Sequence, residues 1–328
     1  MKNIAYVGVY SMKNNNKTLI LGWPVKPSQK WLQRYPDIEV ARIYRENVNW
    51  CEKKFKDLSF HMPKSMQVCD CIKPSTWYGD WKQEIKGFDT VILIDEIRGR
   101  DVFEYILEKN PQCNLSVFID SPIKEGSKKE PFLYKDLPVR FFTCDRRIAE
   151  RYHIEFAPYF YIFSPYDFGE YLNDSWLENN NDVFFVGEEK GDRAQRIAHI
   201  KEILSKAGLT HDIHLVPQNR RGKKKAAYMT YRDVIEHVKQ SKAILELISD
   251  GQTGITQRPY EALFFKKKLI TTSSEIKNYD FYCEQNVFIL GEREVAELPE
   301  FLNAPFKEID KEIVDEYTLK SWVERFKK

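Results

Sequence analysis

AILELISDGQTGITQRPYEALFFKKKLITT, residues 243–272, carries the reading of the fold. Ala243 to Ile248 is the short apolar run of a strand covered on both faces. Gly251 and Gly254 follow in a loop where the backbone can approach a ligand closely. Thr256 is placed to cap a helix from Arg258 to Phe265, with Pro259 in the first turn, where its missing N–H costs little. Lys268 to Thr271 reads as the next strand. A helix N-terminus after such a loop is a ready site for an anion.

The same rhythm extends in both directions. Upstream, Val183 to Val186 reads as a strand, and Gly187 opens a tight loop. Asp192 caps an amphipathic helix with Ile197, Ile200, Ile203 and Leu204 on one face, ended by Lys206-Ala207-Gly208. A strand at Ile213–Val216 and a helix at Tyr231–Gln240 follow. Downstream, Val287 to Leu290 is a last strand, and Ile313 to Phe326 an amphipathic helix carrying Trp322. In the first half, strands are expected at Asn3–Tyr10, Asp89–Ile94, Leu115–Ile119 and Val139–Thr143. Helices are expected near Asp101–Glu108, stopped by Asn110-Pro111, and from an Asp145 cap to Tyr152. The pattern lapses between 164 and 181, in a polar linker.

This alternation places the chain in the α/β class, as two Rossmann-like, doubly wound domains facing across a cleft. The expected domains are 1–165 and 180–310, with the helix at 311–328 a candidate to cross back to the first. Ligands of open α/β sheets bind beyond the C-terminal strand ends. The loops after 94, 119, 186, 216, 248 and 271 are therefore the ones to inspect.

Composition narrows the function classes. With 42% hydrophobic and 30% charged residues, the 328-residue chain can bury real cores and is not a disordered polymer. A net charge of +2 gives no global field for nucleic acid. Basic runs at 220–225 and 266–268 are solvated loops or edges on the plain reading, and points of attraction to an anionic membrane or phosphates on the functional one. No apolar run approaches the roughly 20 residues that span a bilayer, and Met1-Lys2-Asn3 does not open a signal peptide. A cytoplasmic protein with reduced thiols is expected from its six scattered cysteines. Cys69-Asp70-Cys71 lacks a second pair at zinc-ribbon spacing, and the six histidines form no H-E-x-x-H pattern, so no metal is expected. Trp77-Tyr78-Gly79-Asp80-Trp81 could stack on a sugar or dip into a membrane interface, or simply pack a helix on the sheet.

Glu261 lies one helical turn from Arg258, on the same face. An arginine at a phosphate loop can add bidentate charge, and a carboxylate one turn on can accept ribose hydroxyls. An internal ion pair satisfies the same spacing. Residues Gln252 to Thr272, followed by Asn278-Tyr279-Asp280-Phe281-Tyr282, closely resemble a motif of bacterial lipopolysaccharide-core and capsule glycosyltransferases of GT-B type. Gln252, Gly254, Thr256, Arg258, Glu261, Ala262 and Leu263 match it, as does Lys267-Lys268-Leu269-Ile270-Thr271-Thr272. Thr143-Cys144-Asp145 with Ala149 and Tyr152, and Asp182 to Gly187 with Arg193, resemble two further segments, although Cys144 and Ile148 depart from the pattern.

The resemblance implies a nucleoside-diphosphate-sugar donor held by the second domain as co-substrate, with no other cofactor. Glu261 would bind the ribose, while Arg258 and the Gly254–Ile255–Thr256 backbone would hold the diphosphate. Gly187 and Arg193 would face the phosphates or the sugar. It also implies a glycan or lipid-linked glycan acceptor, with the enzyme peripheral on the inner face of the plasma membrane. An inverting enzyme needs a base in the first domain. Asp95 and Glu96, after one strand, and Asp120, after the next, are the candidates, and each would serve equally as a strand-end carboxylate. The alternatives are a nucleotide-sugar isomerising or hydrolysing enzyme on the same scaffold, and a catalytically silent protein that binds nucleotide or glycan.

Overall fold

The structure is a computed structural model, and it describes residues 16–23, 33–46, 49–59, 73–95, 99–161, 180–217, 229–248 and 254–327. The strand expected at Asn3–Tyr10, most of the expected linker, the basic run at 220–225, Glu96, Cys69, Cys71 and Gly251 to Thr253 lie outside these residues.

The first part of the chain forms β1 (Thr18–Leu21), β2 (Ile38–Ala41), α1 (Trp50–Ser59), α2 (Trp81–Glu84), β3 (Thr90–Ile94), α3 (Asp101–Lys109), β4 (Asn114–Ile119), β5 (Val139–Thr143), α4 (Arg146–Tyr152) and β6 (Glu155–Phe156). The second part forms β7 (Asn181–Glu189), α5 (Arg193–Lys206), β8 (His211–Pro217), α6 (Tyr231–Lys239), β9 (Ser241–Glu246), α7 (Gln257–Phe264), β10 (Lys268–Thr271), β11 (Val287–Ile289), α8 (Leu298–Asn303), α9 (Lys311–Glu316) and α10 (Leu319–Glu324). The strands make two Rossmann-like sheets, ordered β2-β1-β3-β4-β5-β6 and β11-β10-β9-β7-β8. β1 pairs in parallel with both β2 and β3, and β7 with both β8 and β9. Strand order therefore reverses beside β1 in one sheet and beside β7 in the other, the positions where open α/β sheets bind ligands.

Two compact units result, one of residues 1–142 with 326–328, the other of 143–325. In the first, β1 and β3 are buried along their whole length, as continuous apolar runs must be when helices cover both faces. Helix α3 buries Val102, Phe103 and Ile106, and Asn110 ends it. In the second, Asp145 caps α4 by accepting from the amides of Arg147 and Ile148, and Thr256 caps α7.

Several expectations need correction. Gly187 does not open a loop: β7 continues to Glu189 because its ladder with β8 persists as far as Pro217. The strand expected over Ala243–Ile248 is shifted to Ser241–Glu246. The single tail helix is two, broken at Tyr317 and Thr318. There the Tyr317 carbonyl accepts from the Tyr161 amide at 2.8 Å, and the Thr318 hydroxyl caps the second piece. The aromatic cluster at 77–81 is core, with Trp77, Tyr78 and Trp81 all buried. Tyr78 donates to Asp101 at 2.6 Å and Trp81 to the Ile43 carbonyl at 3.0 Å, so neither ring is a platform for sugar or lipid.

Lys267 and Lys268 are buried anchors rather than solvated charges. Lys267 donates to the Lys239 carbonyl at 2.8 Å, and burial pushes its ammonium down to about 8. Lys268 donates to the Pro305 carbonyl at 3.1 Å and to that of Gln285. Neither is available to a membrane surface. β1 and β2 answer to no expectation, since each is only four residues long and too short to show a period.

Candidate functional site

In the first unit a cavity of about 520 Å³ opens at the strand ends beside β1, the reversal point of that sheet. Gly22 follows β1, Arg42 follows β2, Asp95 follows β3 and Asp120 follows β4, and all four line it. Arg45 and Lys56 add basic charge and Tyr44 an aromatic wall. The chemistry is that of a polar ligand bound among three carboxylates, Glu46 with Asp95 and Asp120, and several cations.

Asp95 sits in the left-handed region at φ 50°, a conformation that aspartate tolerates better than most side chains. Its amide donates to the Phe118 carbonyl at 2.9 Å, which ties the turn to β4. Its carboxylate pairs with Lys129 at 2.6 Å and accepts from the Ser121 hydroxyl at 2.8 Å. Ser121 in turn accepts from Lys129 at 2.8 Å. Asp120 is open to solvent at its side chain, yet protein crowds it on most sides. That desolvation, together with the Asp95 charge, pushes its carboxyl up to about 6, against a smaller pull from Lys129. Asp95 is thus held in an ion pair while Asp120 can exchange a proton near neutral pH. Glu96 lies outside the described residues. Ser121, Lys129, Arg42 and Arg45 were not foreseen, although Ser121 directly follows the candidate Asp120.

In the second unit the reversal lies between β7 and β9, whose pairing runs from Asn181 with Ser241 to Phe184 with Ile244. Arg258 and Glu261, in the first turn and a half of α7, form an ion pair, as their spacing allows. The remaining Glu261 oxygen accepts from Tyr231 at 3.2 Å, and Tyr231 shares a hydrogen bond with Tyr161. Glu261 is only 2% exposed, whereas the Arg258 side chain keeps 20% of its surface open. Arg258 also donates to the Val186 carbonyl at 3.3 Å, so it stands against the C-terminal half of β7.

The loop before α7 is held by carboxylates of the protein itself. Glu246, wholly buried, accepts from the Thr256 amide at 2.7 Å, the Thr256 hydroxyl at 2.8 Å and the Thr271 hydroxyl at 2.6 Å. Burial drives its carboxyl above the usual range against those three donors. The Gly254 amide donates to Asp145 at 3.2 Å. A Cβ at Gly254 would lie 3.3 Å from the Cys144 carbonyl oxygen, which explains glycine there. Ile255 is buried beside them. The amides of Gly254 and Thr256, expected to hold a diphosphate, are thus directed at Asp145 and Glu246.

Arg193 opens α5 and donates to the Glu188 carbonyl at 2.6 Å, which folds it back on the end of β7. Gly187 gives it room: a Cβ there would meet the Phe185 ring at 2.8 Å and lie 3.5 Å from the Arg193 guanidinium. Arg196 donates to the Ile248 carbonyl at 2.7 Å, joining α5 to the end of β9. Glu246, Tyr231, Tyr161 and Arg196 were not foreseen. Glu246 carried a signal, being the one charge in the apolar run Ala243–Ile248.

Among the described residues no helix is long and apolar enough to cross a membrane. No family model matches the chain, and no curated protein matches it. Among solved structures it is similar to apo D-mandelate dehydrogenase of Rhodotorula graminis, at 10% identity over 87% of this chain and 91% of that one, with a TM-score of 0.18. At that score the likeness decides neither fold nor activity.

Proposed function

We propose that this protein is a glycosyltransferase of the GT-B kind, which moves a sugar from a nucleoside-diphosphate donor to a bacterial surface glycan. The second unit holds the donor around Arg258 and Glu261, and the first unit holds the acceptor in the cavity beside Asp95 and Asp120. Asp120 takes the proton from the acceptor hydroxyl as its oxygen bonds to the anomeric carbon. The bond from that carbon to the donor phosphate breaks, and the nucleoside diphosphate leaves with the electron pair. Arg258 and the N-terminal end of α7 offset its charge. An acceptor carried on lipid would bring the enzyme to the inner face of the membrane.

The observation that carries this reading is Asp120, a carboxyl held at about 6 in a cavity at the strand reversal. A base is most effective when its pKa lies near the working pH. The test is a thermal-shift screen of UDP, GDP, CDP, ADP, dTDP and CMP, followed by turnover of the matching nucleotide sugars. One nucleotide should bind. Asp120→Asn should keep that binding and lose transfer by about 100-fold or more. Binding by no nucleotide sinks the reading.

One observation favours a second reading. Both Glu261 oxygens, and the amides of Gly254 and Thr256, are engaged within the protein. A catalytically silent glycan-binding protein would keep such a closed network. Binding of a glycan, with no binding of any nucleotide, identifies it.

A further inference from the structure

A third cluster of titratable side chains lies in the second unit and shares no residue with the networks above. Asp212 and His214 are two apart on β8, so they project from one face of the sheet at its edge. Their register partners on β7 are Phe184 and Val186. Those two residues share a core with Val234, Ile235 and Val238 of α6. His237 comes from that same helix and stacks on Phe184, with the rings 5.3 Å apart and inclined by 9°. His214 Nε2 lies 2.6 Å from one Asp212 oxygen and His237 Nδ1 2.5 Å from the other. One ligand atom from each residue lies within 4.8 Å of the others.

We propose that Asp212, His214 and His237 bind a divalent transition-metal ion of the Zn²⁺ class, clipping the edge strand β8 to helix α6. Two imidazoles and one carboxylate are ligands that such ions take and that Mg²⁺ and Ca²⁺ do not favour. Neighbouring ligand atoms around tetrahedral Zn²⁺ stand roughly 3.3 Å apart, so the two histidine–Asp212 pairs need separate by less than about 1 Å. The stacking on Phe184 fixes one ring, and the strand period fixes the other two ligands on the same face. His214 and His237 keep 38% and 30% of their side-chain surface open, so an ion can enter from the sheet edge. Three protein ligands leave at least one position for water. The sequence hides this set, because Asp212 and His237 are brought together only when α6 packs over β8.

This site does not rest on the transferase reading, and its test reads binding alone. The full-length chain, stripped with a chelator, is titrated with Zn²⁺ and separately with Mg²⁺ by calorimetry, and its melting is followed with and without Zn²⁺. One Zn²⁺ per chain, a raised melting temperature and far weaker Mg²⁺ binding are expected. His214→Gln and His237→Gln should each weaken Zn²⁺ binding by about tenfold or more. His199→Gln, altering an exposed residue of α5, should bind as the parent does. Should His237→Gln unfold by losing its stack on Phe184, His214→Gln decides alone. No Zn²⁺ binding, or equal binding by parent and His214→Gln, overturns the proposal.

Discussion

The buried carboxylate of Glu246 accepts from both the amide and the hydroxyl of Thr256, at 2.7 Å and 2.8 Å. The last residue of β9 thereby fixes the first turn of α7, and with it the direction of Arg258. Thr271 on the neighbouring strand adds a third donor at 2.6 Å. Glu246→Ala leaves three donors without their acceptor, the two of half-buried Thr256 and the one of buried Thr271. It should destabilise the protein by about 3–5 kcal/mol, read from urea unfolding. A loss below about 1 kcal/mol would mean that water replaces the carboxylate.

Glu261→Ala strands the Arg258 guanidinium in a mostly buried setting and should cost about 3–5 kcal/mol of stability. Glu261→Gln keeps an acceptor for Tyr231 and should cost less. In the transferase reading, both changes weaken nucleotide binding, by roughly 1–3 kcal/mol. A Gln variant that folds normally and binds nucleotide as the parent does would remove Glu261 from the donor site. Thermal shift with and without nucleotide separates the two effects.

Asp120 supplies the pH dependence. Its carboxyl rises from 3.8 to about 6 on folding, so the folded state favours the protonated form. The stability it contributes is full below 3.8 and is lost as pH rises through about 6. Asp120→Asn should therefore flatten the decline of melting temperature across that window and cost nothing at pH 7. In the transferase reading the rate of the parent rises with pH through about 6 and levels above it. An Asp120 carbon shift in NMR that titrates near 4 instead would sink both expectations.

Phe326 returns the end of the chain to the first unit. It is fully buried, with its ring 4.5 Å from that of Phe142 and 6.3 Å from that of Phe118. Phe326→Ala should cost about 3–5 kcal/mol by leaving a cavity, seen in urea unfolding. Deletion of 326–328 should cost at least as much. A small effect would show that the neighbouring side chains collapse into the space.

The local elements were legible in the residues alone. Apolar runs at 90–94, 115–119 and 183–186 read as buried strands, and caps at Asp145 and Thr256 read as helix starts, because both patterns repeat within a few residues. The Arg258–Glu261 pair was legible for the same reason, since three residues of helix bring the two onto one face. Tertiary structure alone decided what depends on distant partners. Strand order set Asp95 beside Lys129 and raised Asp120. Packing turned Lys267 and Lys268 from a surface charge run into anchors. It also aimed the Gly254 amide at Asp145, 109 residues away. Periodicity reports only which side of an element faces inward; which groups meet there is settled when sheets and helices close and desolvation makes each buried polar atom find a partner.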